Sequence, residues 1–187
     1  MSISNKLPEL IGVGGTFASG KDSLAQELIK NYGFTHVSTG DMVRAEAMKR
    51  YGNIERPTLK ITATELRQEF GGGAMVERAL ESPRPLVITG IRSLGEAKAL
   101  KNAGGILVFV DADPKVRYER MRSRRRDNET TVSFDEFMAE EEKEMRVGDT
   151  DADFSIRAIG EMANLHLDNS GTYDEFAATA IEKLNNH

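Results

Sequence analysis

The run Gly12-Val13-Gly14-Gly15-Thr16-Phe17-Ala18-Ser19-Gly20-Lys21 constrains this chain more than any other feature. An apolar stretch, Leu10 to Gly15, leads into it, and a stretch of helical periodicity, Lys21 to Gly33, leads out. Gly15, Gly20 and Lys21 stand at the spacing G-x-x-x-x-G-K, which between a strand and a helix makes a phosphate-binding loop. Successive backbone N–H groups and the positive end of the helix form an anion nest, and a lysine there reaches the outer phosphates. The expected nucleotide-binding set is therefore Gly15, Thr16, Phe17, Ala18, Ser19, Gly20 and Lys21, continuing into Asp22 and Ser23. Asp22 is unusual, because the pattern normally places Ser or Thr there to hold Mg²⁺; here the hydroxyl comes one residue later, at Ser23. The Asp22 carboxylate has two readings: it takes a water of a bound Mg²⁺, or it caps the helix and favours its dipole.

The rest of the chain repeats the alternation of strand and helix. Strands are expected at Leu10–Gly15, around Phe34–Thr39, at Arg84–Gly90, at Ile106–Asp113 and at Leu165–Asn169. Helices are expected from Lys21, from Gly40, over Thr62–Phe70 and again from Ala74, from Ser93 to a stop at Gly104, over Pro114–Arg126, from an N-cap at Ser133, and from Thr172. Their buried faces read as Leu24, Leu28 and Ile29 on the first and Met42, Ala45 and Met48 on the second. Strands alternating with helices imply right-handed crossovers and a five-stranded parallel sheet with helices on both faces. Ligands of such sheets bind at the carboxyl ends of the strands, so Gly12–Gly20, Ser38–Asp41, Thr89–Arg92 and Asp111–Asp113 should converge on one cleft. Asp41 and Arg44 share a helix face by their spacing of three. That arrangement suits an acceptor clamp and equally suits a capped surface helix with an ordinary ion pair.

Composition sets the outer bounds. At 187 residues the chain reads as one domain, and 39% apolar with 29% charged residues reads as globular. The absence of Cys excludes disulfides, thiolate metal sites and a cysteine nucleophile. No apolar run approaches the ~20 residues of a membrane span, so no membrane partner and a cytoplasmic location are expected. A net charge of −5 argues against a general nucleic-acid binder. Against that background, six arginines crowd into the ten residues from Arg117 to Arg126. Arg117, Arg120 and Arg124 fall on one helical face. A solvated basic face, a nucleic-acid patch and an arginine-bearing lid all remain open from the residues alone. The acidic run Ala139 to Met145 reads as a solvated helix face. His36 and His166 fall in strands, as core or sheet-end residues.

In its loop and in four further motifs the chain resembles the nucleoside monophosphate kinase group of P-loop proteins, the adenylate kinases and their relatives. In adenylate kinases, too, the hydroxyl comes second after the lysine, as Ser23 does. "STGDMVR", Ser38 to Arg44, looks like the segment opening the acceptor site; the resemblance places Thr39, Asp41 and Arg44 there, with Arg44 on the acceptor phosphate. "VITGIRSLGEAKAL", Val87 to Leu100, is similar to the segment whose arginine grips the same phosphate, and Arg92 matches it. Thr89 stands where that family has a strand-end acid that helps organise Mg²⁺; a threonine can hydrogen-bond a metal-bound water but brings no charge. "VDADPKVRYERMRSRRRD", Val110 to Asp127, resembles the helix and lid that carry arginines to the transferring phosphoryl group, with a short lid at about residues 122–132. "LHLDNSGTYDEF", Leu165 to Phe176, resembles the closing strand and turn, which implies that Asn169 and Gly171 lie beside the donor base.

The resemblance implies a single P-loop kinase domain over residues 1–187, in a three-layer P-loop NTPase fold with an acceptor-binding helical insert at about residues 40–80. It implies ATP and Mg²⁺ as cofactors, with Ser23 and Asp22 at the metal, and Lys21, Arg92, Arg120 and Arg124 as the catalytic cations. The expected partner is a small-molecule acceptor, a nucleoside monophosphate or dephospho-coenzyme A, taken up by a monomer or homodimer. The segments from Val110 and from Asp168 also look like dephospho-coenzyme A kinase, where a ribose hydroxyl is phosphorylated and Asp41 becomes the candidate base. The Gly-Lys-Asp variation is shared with adenylate-kinase-related proteins of microbes. Thr89 also leaves room for a regulatory nucleotide-binding ATPase without kinase chemistry.

Overall fold

The structure is a computed structural model that describes residues 7–123, 132–145, 150 and 153–187. Its centre is a five-stranded sheet made of β1 (Leu10–Gly15), β2 (Thr35–Ser38), β3 (Leu86–Ile91), β4 (Ile106–Asp111) and β5 (Leu165–Asp168). The strands run in the order β2-β3-β1-β4-β5 and every pairing is parallel. β1 is central, so the loop that follows it opens at the middle of the sheet. β3 lies on one side of β1 and β4 on the other, so the segments after these strands flank that loop.

Alternation along the strands divides the core into two layers. Ile11, Val13, Val87, Val108, Val110 and Leu167 face α1 (Lys21–Tyr32) and α9 (Tyr173–Asn185), through Leu24, Leu28, Phe176 and Leu184. Leu10, Leu86, Ile88, Ile91, Leu107 and Phe109 face the opposite way. There they meet α4 (Ala74–Ala79), α5 (Leu94–Asn102) and α8 (Ile156–Met162). A third, smaller cluster joins α2 (Thr39–Tyr51), α3 (Arg56–Phe70) and α4 through Val43, Ala63, Leu66 and Met75. These helices form the insert expected between the second and third strands. α6 (Pro114–Ser123) and α7 (Phe134–Met145) follow β4.

The fold class stands as read, and the five strands fall where the apolar runs placed them. Several local expectations need correction. Ile29 is exposed, and α1 turns Leu24, Ala25 and Leu28 inward. In α2 the buried stripe is Thr39, Val43 and Ala47, and Met48 is half exposed. That helix carries so few large apolar residues that its period fits more than one stripe. α3 begins at Arg56, with Pro57 in its first turn, well before Thr62. α8 was not expected; it has seven residues, too short for periodicity to reveal, and is started by the Ser155 side chain, which accepts from the Ala158 N–H. The α6 helix reaches Ser123, and Arg124, Arg125, Arg126 and most of the expected lid lie outside the described residues. Ser133 starts α7 as expected, with Ser133 and Glu136 exchanging side-chain bonds to each other's backbone N–H.

Candidate functional site

The loop after β1 is shaped by contacts that only glycine permits at two points. Gly15 has φ 143°, and a Cβ there would lie 2.0 Å from the Val110 carbonyl oxygen. Gly20 caps α1 with φ 88°, and a Cβ there would lie 2.2 Å from Asn169 Nδ2. Gly15→Ala is therefore expected to destabilise the fold by about 1–3 kcal/mol, the usual cost of overpacking, read as a lowered unfolding midpoint in urea.

Within this frame the loop's side chains divide into those that brace it and those that face outward. Thr16 is buried, and its Oγ1 donates to Asp111 Oδ1 at 2.6 Å, tying the loop to the end of β4. Ser19 is fully buried, and its Oγ has no hydrogen-bond partner among the described residues. Lys21 folds back over the loop and donates from Nζ to the Gly15 and Thr16 carbonyls, at 3.1 and 2.5 Å. Its ammonium is thus held over the concavity of the nest, where an anion would displace the carbonyls as its partner. Ser23 sits in the first turn of α1 and is partly buried. Asp22 is exposed in the same turn, and α1 has no side-chain cap. The capping reading of Asp22 is thereby corrected, since Gly20 occupies the N-cap position and carries no side chain; Asp22 retains only its favourable place at the positive end of the helix.

Two elements distant in the chain reach the Ser19 carbonyl of the loop. Asn169, buried at the end of β5, donates from Nδ2 to the Ser19 carbonyl at 2.8 Å, while Gly171 lies exposed in the turn beyond. The Asn169 side chain is thus committed to bracing the loop. From α6, Arg120 Nη1 lies 3.5 Å from the same Ser19 carbonyl. Arg117 does not join Arg120 on an outer face: its side chain is only 4% exposed. It donates to the Ala112 carbonyl at 2.8 Å and the Phe17 carbonyl at 3.4 Å, and pairs through both terminal nitrogens with Glu141 of α7. Glu141 corrects the reading of the acidic run as wholly solvated. The signal for it was present, because Phe137, Glu141 and Met145 recur at every fourth residue on the inner face of α7.

On the other flank, Thr39 is buried and donates from Oγ1 to the Gly90 carbonyl at 2.8 Å, joining the start of α2 to the end of β3. Ser38 caps α2 by accepting from the Asp41 N–H at 3.2 Å. Asp41 and Arg44 form the expected ion pair, with Nε 3.1 Å from Oδ1 and a closer contact from Nη2. The hydrogen bond from Arg44 holds the Asp41 carboxyl below the usual aspartate range. Asp41 is therefore ionised at neutral pH and a weak proton acceptor. Arg92 is exposed just after β3, and its backbone N–H donates to Glu96 Oε2 at 2.7 Å. Glu96 in turn lies 3.5 Å from Arg67 of α3, with both side chains buried. This pair, which the sequence reading missed, fastens the insert to the segment carrying Arg92. Thr89 is buried, and its Oγ1 lies 2.9 Å from His36 Nε2. His36 and His166 lie on edge strands with exposed side chains.

The loop thus fits the phosphates of a nucleotide, offering a glycine-shaped nest, a lysine above it and an arginine at its rim. Ser23, partly buried, and Asp22, exposed, both stand in the first turn of α1 directly after this loop. Among the described residues no group of three or more His, Asp or Glu is arranged to hold a metal ion by itself.

Comparison with known proteins agrees with this geometry. Residues 11–147 match the AAA domain family. A UPF0200 protein of Thermococcus kodakarensis is 32% identical, over 94% of this chain and 95% of its own length. One of Pyrobaculum aerophilum is 36% identical, over 74% of this chain and 79% of its own. Among solved structures, shikimate kinase from Bacteroides thetaiotaomicron superimposes with a TM-score of 0.60 at 16% identity, covering 95% of this chain and 97% of that one. A gluconokinase from Sinorhizobium meliloti does so with a TM-score of 0.59 at 20% identity, covering 97% and 94%. These two likenesses establish a shared fold. The chain belongs to the AAA domain family and to the UPF0200 proteins.

Proposed function

We propose that this protein is a small-molecule kinase that transfers the γ-phosphoryl group of ATP to a phosphate-bearing acceptor of the nucleoside monophosphate class. The observation that carries the reading is the division of cations around the loop. Lys21 and Arg120 lie against carbonyls of the loop itself. Arg44, in α2, and Arg92, just after β3, stand on segments joined through Thr39. Phosphoryl transfer asks for positioning and charge neutralisation rather than covalent catalysis, and this arrangement supplies both.

In this reading the loop N–H groups and Lys21 hold the donor phosphates. Arg44 and Arg92 hold the acceptor phosphate so that its oxygen lies in line with the γ-phosphorus. Arg120, with Arg124 beyond the described residues, neutralises charge on the group in transit. Mg²⁺ bound to the nucleotide would supply further charge neutralisation, with Ser23 as its protein ligand and Asp22 reaching it through water. The paired, ionised Asp41 favours an acceptor that already carries its negative oxygen over a hydroxyl that must lose a proton. Asp41 as a base for a hydroxyl acceptor, as in transfer to dephospho-coenzyme A, is therefore the second reading. The uncharged Thr89 supports a third, an ATPase without an acceptor.

The test is ADP formation from ATP–Mg²⁺ across ribo- and deoxynucleoside monophosphates, dephospho-coenzyme A, shikimate and gluconate. A nucleoside monophosphate is expected to give turnover. Arg92→Ala is expected to raise KM for that acceptor at least tenfold, within the range for losing a charged, hydrogen-bonded contact. Turnover with a hydroxyl acceptor alone would replace the first reading by the second. ADP formation unaffected by any acceptor would favour the third.

A further inference from the structure

We propose that Phe17 is a clasp that shields the transferring phosphoryl group from water, its ring held between the insert and α7. The proposal rests on the phosphotransfer reading above. A phosphate-binding loop works through its backbone, so a phenyl ring at its tip is not needed for binding. Here the ring is 37% exposed, and two elements remote in sequence close on it. The Arg56 guanidinium, at the start of α3, lies 5.3 Å from the ring centroid. Phe137, on the inner face of α7, lies 6.2 Å from it on the tilted geometry favoured by aromatic pairs. Phe137 itself is buried among Tyr118 and Phe134, so it is a fixed wall.

The backbone at the same position is fixed as well. The Phe17 carbonyl accepts from Arg117, and the next residue, Ala18, has φ 57°, a conformation uncommon for a residue with a Cβ. At the tip of the loop, the loop, the insert and α7 thus meet. The insert carries Arg44, and α7 follows the arginine helix across the donor side. A side chain that bridges them closes the gap through which solvent would approach.

The chemistry makes that gap matter. In transfer, an acceptor oxygen forms a bond to the γ-phosphorus while the bond from phosphorus to the β–γ bridging oxygen breaks, leaving ADP. In hydrolysis the same bond breaks, but water is the nucleophile; the products are ADP and inorganic phosphate, and the water's proton passes to solvent. The two outcomes differ only in which oxygen reaches the phosphorus, so exclusion of water favours transfer.

The experiment measures acceptor-free hydrolysis of ATP–Mg²⁺ at saturating nucleotide in the wild type, Phe17→Ala, Phe17→Leu and Arg56→Ala. Saturation removes any effect on nucleotide affinity, and circular dichroism verifies that each variant is folded. Phe17→Ala is expected to raise hydrolysis roughly tenfold or more, as expected for an opened site. Arg56→Ala is expected to give a smaller rise, and Phe17→Leu, which keeps apolar bulk but loses the ring contacts, a rise between those of the wild type and Phe17→Ala. A folded Phe17→Ala protein with no rise overturns the clasp, as does a wild type that already hydrolyses as fast. Because no acceptor is present, the result is separate from the acceptor panel. Failure of every acceptor alongside a rise in Phe17→Ala would sink the kinase reading and leave Phe17 as a shield of bound nucleotide.

Discussion

Lys21→Ala is expected to lower turnover by about 10²–10³-fold, the usual cost of removing one preorganised donor from a developing negative charge. The side chain is already folded over the loop, so its ammonium needs little reorganisation to meet a phosphate. Affinity for the nucleotide should fall less than turnover, because the loop N–H groups and the α1 N-terminus remain. Titration calorimetry with ATP–Mg²⁺ beside steady-state kinetics separates the two. An equal loss in both would mean that Lys21 holds ground state and transition state alike. No loss in either would remove the loop from the proposed chemistry.

The second large effect is expected away from the phosphates, at Glu141. Its carboxylate and the Arg117 guanidinium are 9% and 4% exposed, and the pair joins α6 to α7. Glu141→Ala leaves the buried Arg117 cation with only Asp111, 3.5 Å from its Nε, as a carboxylate partner among the described residues. It is expected to cost about 3 kcal/mol, the low end for breaking a buried pair. For a chain of this size that corresponds to a fall in Tm of roughly 10 °C. A double replacement, Arg117→Met with Glu141→Leu, is expected to recover most of the loss, since a buried ion pair and an apolar pair of similar volume often differ little. Thermal unfolding of the three proteins tests this. A double variant as unstable as the single one would show that Arg117's bonds to the Ala112 and Phe17 carbonyls carry the stability instead.

The same pair shows where reading the chain reaches its limit. The cluster of arginines was conspicuous, but its helical spacing could not say which members turn inward. Arg117 and Arg120 are three residues apart and do different work, one buried against α7 and the other at the loop rim. The α2 helix shows the limit in another form, because two stripes fit its sparse apolar residues and only packing against its neighbours, α3 and α4 among them, chose Val43 and Ala47. At the loop, by contrast, nearly everything was legible. Glycine spacing, the entering apolar run and the leaving helix are local in the chain, and each carries its own conformational preference.

By itself, then, the sequence determined the parallel sheet and the phosphate-type loop after its first strand, while the central place of that strand came from the order of the sheet. Alternation and glycine placement act over a few residues and survive without knowledge of the partners. The tertiary structure decided which side chains serve the scaffold and which face the cleft. Glu141 finds Arg117 across 24 residues, Thr89 finds His36 across 53, and Asn169 finds Ser19 across 150. Such pairings follow from the order of strands in the sheet and the desolvation of the groups brought together, and neither is written in the spacing of residues along the chain.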